Sequence, residues 1–178
     1  MPSGNSFVSS LLRRVASLRR GRRMRLDRYF EADDGSLPEV EVHFAEAAQV
    51  KVAFSHLFAH GGIDVSVGGS HVWLIAEECD RPFNGPEDAD LVASGVAHPF
   101  HLVLQDINVS GTLVPALGVF VDPTSLTLDY RMGDHWGKAE IDAFIELLRQ
   151  LWDLGGCVSV PWWGADGERA FRERIYGS

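Results

Sequence analysis

The sequence is poor in cysteine and has no long apolar run. Cys79 and Cys157 are the only cysteines among 178 residues, and neither belongs to a C-x-x-C pair. Two distant thiols do not make a disulfide framework, so reduced thiols in a reducing compartment are expected. No apolar run approaches the ~20 residues that span a bilayer, so no transmembrane helix is expected. Together these absences favour a cytoplasmic protein.

Catalytic and nucleotide-binding motifs are also missing. The chain has no G-x-S-x-G nucleophile elbow and no G-x-x-x-x-G-K-[ST] loop. Neither cysteine lies in a sequence typical of an activated thiol. We therefore predict a protein that is not an enzyme and has no cofactor.

Charge is divided unevenly along the chain. The first 23 residues carry six arginines and no acid, whereas the remaining residues carry ten basic and 25 acidic side chains, a formal charge of −15. Such an acidic body repels nucleic acid phosphates, so no nucleic acid partner is expected. It suits a basic protein partner, although the acidity can equally serve only to prevent aggregation.

The basic start allows several interpretations. Val8, Leu11, Leu12, Val15 and Leu18 recur at helical spacing among the arginines, which is typical of an amphipathic helix on a membrane or an acidic surface. The Arg- and Ser-rich composition also resembles an organelle transit peptide. We favour a disordered or helical extension over residues 1–23, ahead of a single α+β domain over 24–178. Membrane contact is then possible only through residues 1–23.

Hydrophobic periodicity predicts the elements of this domain. Helical spacing predicts helices over residues 45–60, 134–154 and 166–176, the first two ending at glycine pairs. Alternating or short apolar runs between turn formers predict strands. Their short connections favour antiparallel neighbours. The predicted fold is an antiparallel sheet with two or three helices packed mainly on one face, and its strands cover residues 40–44, 63–67, 71–76, 91–96, 100–104, 117–121, 125–130 and 158–160.

Histidine pairs offer a metal-binding alternative. His56 and His60 lie one helical turn apart, and His98 and His101 form a second pair. Four imidazoles that converge can hold zinc, but spacing alone does not show convergence. A metal-dependent enzyme that uses these histidines is therefore kept as a second hypothesis. A membrane-peripheral adaptor that uses the arginine-rich start is the third.

Two segments supply candidate partner-binding acids. Glu77, Glu78 and Asp80 are three acids in four residues, in a predicted solvated loop. Asp129 and Arg131 lie on the same face of a predicted strand, where they can pair. Either segment can contribute to a protein interface, because charged groups there guide encounter and orientation.

Aromatic residues supply further candidates. Asp134 is predicted to cap the following helix, and Trp136 is predicted to pack where the sheet meets that helix. Trp162 and Trp163 point to opposite sides if their segment is extended, so one enters the core and the other stays near the surface. We include Trp136 and Trp163 among the partner-binding candidates because aromatic residues often anchor interfaces, and Asp134 because an acid beside an aromatic residue can contribute to such an anchor.

Three stretches resemble the small acidic immunity proteins of bacterial polymorphic-toxin systems, delivered by contact-dependent or type VI routes. They are residues 29–38, residues 115–121, and residues 128–133 followed by Trp136 and a Leu-rich helix. The resemblance covers residues 24–155 in style and order. It implies a non-enzymatic inhibitor that binds a cognate toxin in the producer's cytoplasm, and the acidic body suits a basic toxin. It carries no shared catalytic residue to this chain.

Overall fold

The computed structural model describes residues 25–177, so the predicted extension over residues 1–23 lies outside the described residues. The described residues form four helices and ten strands, with short 3-10 turns at Asp27–Tyr29, Pro86–Asp88 and Pro161–Trp163. The helices are α1 (Ala47–Ala59), α2 (Ala89–Ala93), α3 (Lys138–Asp153) and α4 (Gly164–Tyr176). The strands are β1 (Glu39–His43), β2 (Ile63–Asp64), β3 (His71–Leu74), β4 (Cys79–Pro82), β5 (Phe100–Gln105), β6 (Asn108–Val109), β7 (Thr112–Leu113), β8 (Leu117–Val121), β9 (Ser125–Tyr130) and β10 (Cys157–Ser159).

Six strands form one antiparallel sheet in the order β10-β1-β9-β8-β5-β2. The hairpins β3–β4 and β6–β7 form two further small sheets. The predicted α+β class with an antiparallel sheet is confirmed, with four helices where two or three were expected. The strands predicted over residues 117–121 and 125–130 agree with the structure at both ends.

Alternation along the strands places the core on one side of the large sheet. Val40 and Val42 of β1, and Leu126 and Leu128 of β9, are fully buried, whereas the residues between them remain at least partly exposed. The apolar stripe of α3, which includes Phe144 and Leu148, is also buried. The helices therefore cover this side by removing apolar surface from water.

An aromatic cluster closes one end of the core. The ring of Phe30 stacks on Tyr130 with 4.8 Å between centroids and also contacts Trp136, Phe144 and Phe171. Residues just after the basic start are thereby packed into the domain, because such rings bury large apolar areas.

One predicted strand is wrong, and strands β4, β6 and β7 were not predicted. Residues 91–96 were predicted as a strand, but the short helix α2 ends at Ala93. A short apolar run does not distinguish helix from strand, and the turn at Pro86–Asp88 leads directly into α2. Strand β4 was not predicted because Cys79–Pro82 has low β-propensity; its pairing with β3 makes it a strand.

Helix α3 begins at Lys138, four residues later than predicted. The N-cap position is Gly137, so Asp134 does not cap the helix and instead lies exposed in the preceding bend. The reason lies in Trp136, whose indole Nε1 donates to the carbonyl of Arg131 at 2.7 Å and holds residues 131–136 out of the helix.

Candidate functional site

Within residues 25–177 the four helices leave one face of the six-stranded sheet uncovered, and this open face is the candidate functional site. Its side chains come from β1, β5, β8, β9 and β10, at positions that alternate with the buried core residues. The members are Glu39, Glu41, His43, His101, Val103, Gln105, Gly118, Phe120, Thr127, Asp129 and Ser159.

The open face has carboxylates but no permanent cation of its own. None of the six strands contains a lysine or an arginine. Glu39, Glu41 and Asp129 supply negative charge, and His43 and His101 are the basic side chains among them. A surface with one sign of charge attracts ligands of the opposite sign.

A cross-strand row passes through the centre of this face. In the strand register Glu41 lies opposite Thr127, Thr127 opposite Phe120, and Phe120 opposite His101. The half-buried Phe120 therefore lies between two polar residues, Thr127 and His101. Aromatic residues within a polar surround are typical of protein-binding surfaces.

His101 and Asp129 pair across an intervening strand. His101 Nε2 lies 2.9 Å from Asp129 Oδ2, although β8 separates their strands. Gly118 of β8 makes this possible, because a Cβ atom there would lie 2.0 Å from the same Asp129 oxygen. The missing side chain thus lets the carboxylate cross β8.

A second histidine–carboxylate contact lies on β1. His43 Nε2 is 2.9 Å from Glu41 Oε2, and Ser159 Oγ donates to the same oxygen at 3.3 Å. The carboxylate of Glu41 is therefore held in place rather than free to rotate. Fixed charges lose less side-chain entropy when a partner binds.

Asp129 and Arg131 do not pair with each other. Strand β9 ends at Tyr130, so Arg131 leaves the sheet, and its Nη2 donates to Asp33 Oδ2 at 3.1 Å. Asp129 pairs with His101 instead. Of the candidates predicted in this segment, only Asp129 lies on the open face.

Trp136 packs as predicted and is not available to a partner. It is buried, with its ring 5.5 Å from that of Phe144 in α3 and 5.4 Å from that of Tyr130 in β9. It therefore contributes to the core rather than to an interface.

The tryptophan pair divides between core and surface as predicted, but Trp163 is the inner member. Its Nε1 donates to Tyr130 Oη at 2.9 Å, and its ring contacts Tyr29. Trp162 is the exposed one. Residues Pro161–Trp163 form a 3-10 turn rather than the expected extended segment, so simple alternation does not decide which ring turns inward.

The four histidines do not form a common metal site. Among residues 25–177, no three His, Cys, Asp or Glu side chains are grouped so that they can hold a metal ion. His56 and His60 share a helix face as expected, but His56 contacts Gln150 and His60 contacts the carbonyl of Asn108. His101 belongs to the open face, bonded to Asp129.

Glu77, Glu78 and Asp80 lie exposed on the β3–β4 hairpin, as a solvated loop predicts. The hairpin also presents Trp73, which lies opposite Asp80 in the strand register. Sequence reasoning missed Trp73, because Val72, Trp73, Leu74 and Ile75 are all apolar and alternation cannot show which side is buried.

A cavity of about 240 Å³ lies on the helical side of the molecule, and its charged groups are already paired with one another. Lys138 and Arg174 both donate to Asp142. The hydrogen bond from Lys138, together with the charge of Arg174, lowers the pKa of the Asp142 carboxyl below its ordinary value. This cavity gives no reason to place the functional site away from the open face.

Residues 25–177 thus form an α+β fold in which the described helices leave one face of the large sheet uncovered. Comparison with protein-family models, curated proteins and solved structures finds no match for this chain. Within residues 25–177, every helix is too short or too polar to cross a membrane.

Proposed function

We propose that this chain is a non-enzymatic immunity protein that binds a basic cognate toxin in the cytoplasm of the toxin's producer. The observation that carries this proposal is the absence of lysine and arginine from all six strands behind the open face. A cationic partner meets no like charge from these strands, whereas an anionic partner meets Glu39, Glu41 and Asp129.

The chemistry of the face favours binding over catalysis. The carboxylate of Glu41 is bonded to His43 and Ser159, and that of Asp129 to His101. The aromatic Phe120 lies in the row between Glu41 and His101. Prearranged charges around an aromatic group suit recognition of a protein, because complementary charge speeds encounter and the aromatic group supplies buried area.

The first test is complex formation with the product of the gene adjacent to the one that encodes this chain. We expect the full chain to bind that product tightly and to inhibit its activity, as measured by calorimetry and by an assay of the toxin. If the adjacent product binds no better than an unrelated basic protein, the proposed function is wrong.

The second test locates the interface on the open face. Glu39→Lys with Glu41→Lys should weaken the complex, because two attractions become repulsions. Asp153→Lys with Glu173→Lys changes the net charge equally, at exposed positions on α3 and α4, and should leave affinity nearly unchanged. Equal losses from both double variants would show that net charge alone matters and not the open face.

A further inference from the structure

The β3–β4 hairpin carries an exposed apolar surface that folding does not explain. We call this surface the hairpin surface. It consists of Trp73, Ile75, Glu77, Glu78 and Asp80 of the hairpin, together with Val96, which follows α2. Leu74 at the end of β3 pairs with Ala97 in an antiparallel bridge, and Ile75, the first residue of the turn, donates its backbone N–H to the carbonyl of Val96 at 3.0 Å. Trp73 and Ile75 flank Leu74 on the opposite side of this segment, and Val96 lies beside Ile75 in the backbone pairing.

These side chains remain in water although the other side of the hairpin is buried. Val72 is fully buried, whereas Trp73, Ile75 and Val96 are 39%, 42% and 44% exposed. Single exposed apolar residues are common, but a contiguous group within a polar surround is typical of an interaction surface.

The hairpin is held in place before any partner arrives. Arg81 of β4 donates to both carboxylate oxygens of Asp88 at 2.6 and 3.1 Å, and the backbone N–H of Asn84 donates to Asp88 at 2.9 Å. Asp88 is buried, so this contact fixes β4 against the turn that precedes α2. A preorganised surface loses little conformational entropy on binding.

The charges beside the apolar group indicate the kind of partner. Glu77 and Glu78 lie in the turn of the hairpin, and Asp80 lies directly opposite Trp73. Arg81, the basic residue of β4, is already bonded to Asp88. These three acids favour a partner whose apolar pocket is surrounded by lysines and arginines.

We propose that the hairpin surface is a second contact region, in which Trp73 enters an apolar pocket of the basic toxin while Glu77, Glu78 and Asp80 pair with cations at its rim. This inference rests on the proposed function and adds a contact region outside the open face. It assigns Trp73 the largest share of the binding free energy, since buried tryptophans surrounded by polar groups dominate interfaces.

The test measures binding of full-length variants to the product of the adjacent gene by calorimetry. Trp73→Ser should raise the Kd roughly tenfold or more, and Glu78→Lys should raise it as well. Trp152→Ser is the matched control, because Trp152 is 44% exposed but lies on α3. Thermal unfolding of each variant separates lost contact from lost folding.

These binding measurements either support or overturn the second contact region. Weaker binding by Trp73→Ser and Glu78→Lys, with Trp152→Ser close to the wild type, supports the second contact region. If the wild type binds and Glu39→Lys with Glu41→Lys weakens the complex while both hairpin variants bind normally, the hairpin inference is overturned and the proposed function stands. If the wild type does not bind the adjacent product, the proposed function falls and the hairpin inference falls with it.

Discussion

Gly118 is the residue on which the geometry of the open face depends. Its substitution by alanine would place a Cβ atom 2.0 Å from Asp129 Oδ2, so Asp129 must leave His101 or the strands must separate. We expect Gly118→Ala to lower the free energy of unfolding by about 1–3 kcal/mol, as overpacked sites do. Urea denaturation measures this loss.

A double-mutant cycle separates this clash from other effects at the site. In an Asp129→Ala background the obstructing carboxylate is gone, so Gly118→Ala should cost less than about 0.5 kcal/mol. Asp129→Ala alone should cost no more than about 1 kcal/mol, because the side chain of its partner His101 is 44% exposed. An equal cost for Gly118→Ala in both backgrounds would contradict the proposed crossing of Asp129 over β8.

Tyr130 carries a pH-dependent contribution to stability. Burial raises the pKa of its phenol well above the ordinary value, against the opposing effect of the hydrogen bond from Trp163. The hydroxyl donates to the carbonyl of Tyr29 at 3.0 Å. Tyr130→Phe leaves both partners unsatisfied and should cost about 1–3 kcal/mol at neutral pH.

The sign of the pH effect follows from the raised pKa. Above about pH 10 the unfolded chain releases the phenol proton while the folded chain keeps it, so wild-type stability falls as pH rises. Tyr130→Phe lacks this term. The advantage of the wild type over the variant should therefore shrink by about 1.4 kcal/mol for each pH unit above about 10. An advantage that stays constant from pH ~8 to ~11 would disprove burial of an un-ionised Tyr130.

At the scale of elements, the β3–β4 hairpin depends on one buried carboxylate. Asp88→Ala removes the acceptor for Arg81 and for the N–H of Asn84, at a cost of about 1–3 kcal/mol. We expect the loss to be concentrated in the hairpin, where amide hydrogen exchange in β3 and β4 should speed up more than in β8 and β9.

Asp90→Ala is the matched control for this experiment. Asp90 also contacts a basic side chain, Lys51, but it lies exposed on α2, where such pairs contribute little to stability. Uniform acceleration of exchange across the whole molecule in Asp88→Ala would show that Asp88 stabilises the entire fold rather than the hairpin.

Elements with strong local patterns were predictable, and those that depend on tertiary contacts were not. Strands β8 and β9 are bounded by turn formers and agree with the prediction. Strand β4 exists only through its pairing with β3, and the start of α3 is displaced by the Trp136 hydrogen bond. Neither the β3–β4 pairing nor the Trp136 hydrogen bond is a periodic sequence pattern, so hydrophobic periodicity does not reveal them.

Across the whole molecule, the open face was not predicted because it is assembled from strands that lie far apart in the sequence. On β1, the polar Glu39, Glu41 and His43 alternate with Val40, Val42 and Phe44, a pattern typical of a strand with one exposed face. Their juxtaposition with Phe120 depends on the order β10-β1-β9-β8-β5-β2, which brings β1 beside β9 across most of the sequence. Polar alternation thus predicts that a face is exposed, while the sheet order decides which side chains meet there.

The two proposed contact regions should respond differently to salt. Attraction between a charged face and a basic toxin acts at long range and is screened, since the Debye length falls from about 30 Å at 0.01 M salt to about 3 Å at 1 M. We therefore expect the association rate of the wild type to fall steeply with ionic strength, and stopped-flow mixing with the adjacent gene product measures it.

Glu39→Lys with Glu41→Lys should flatten that salt dependence, because it removes attraction during approach. Trp73→Ser removes only short-range contact, so it should speed dissociation and leave the salt slope of the association rate unchanged. The open face would then guide encounter while the hairpin prolongs the complex. A Trp73→Ser variant that instead changes the salt slope, or an open-face variant that changes only dissociation, would contradict this division of roles between the two surfaces.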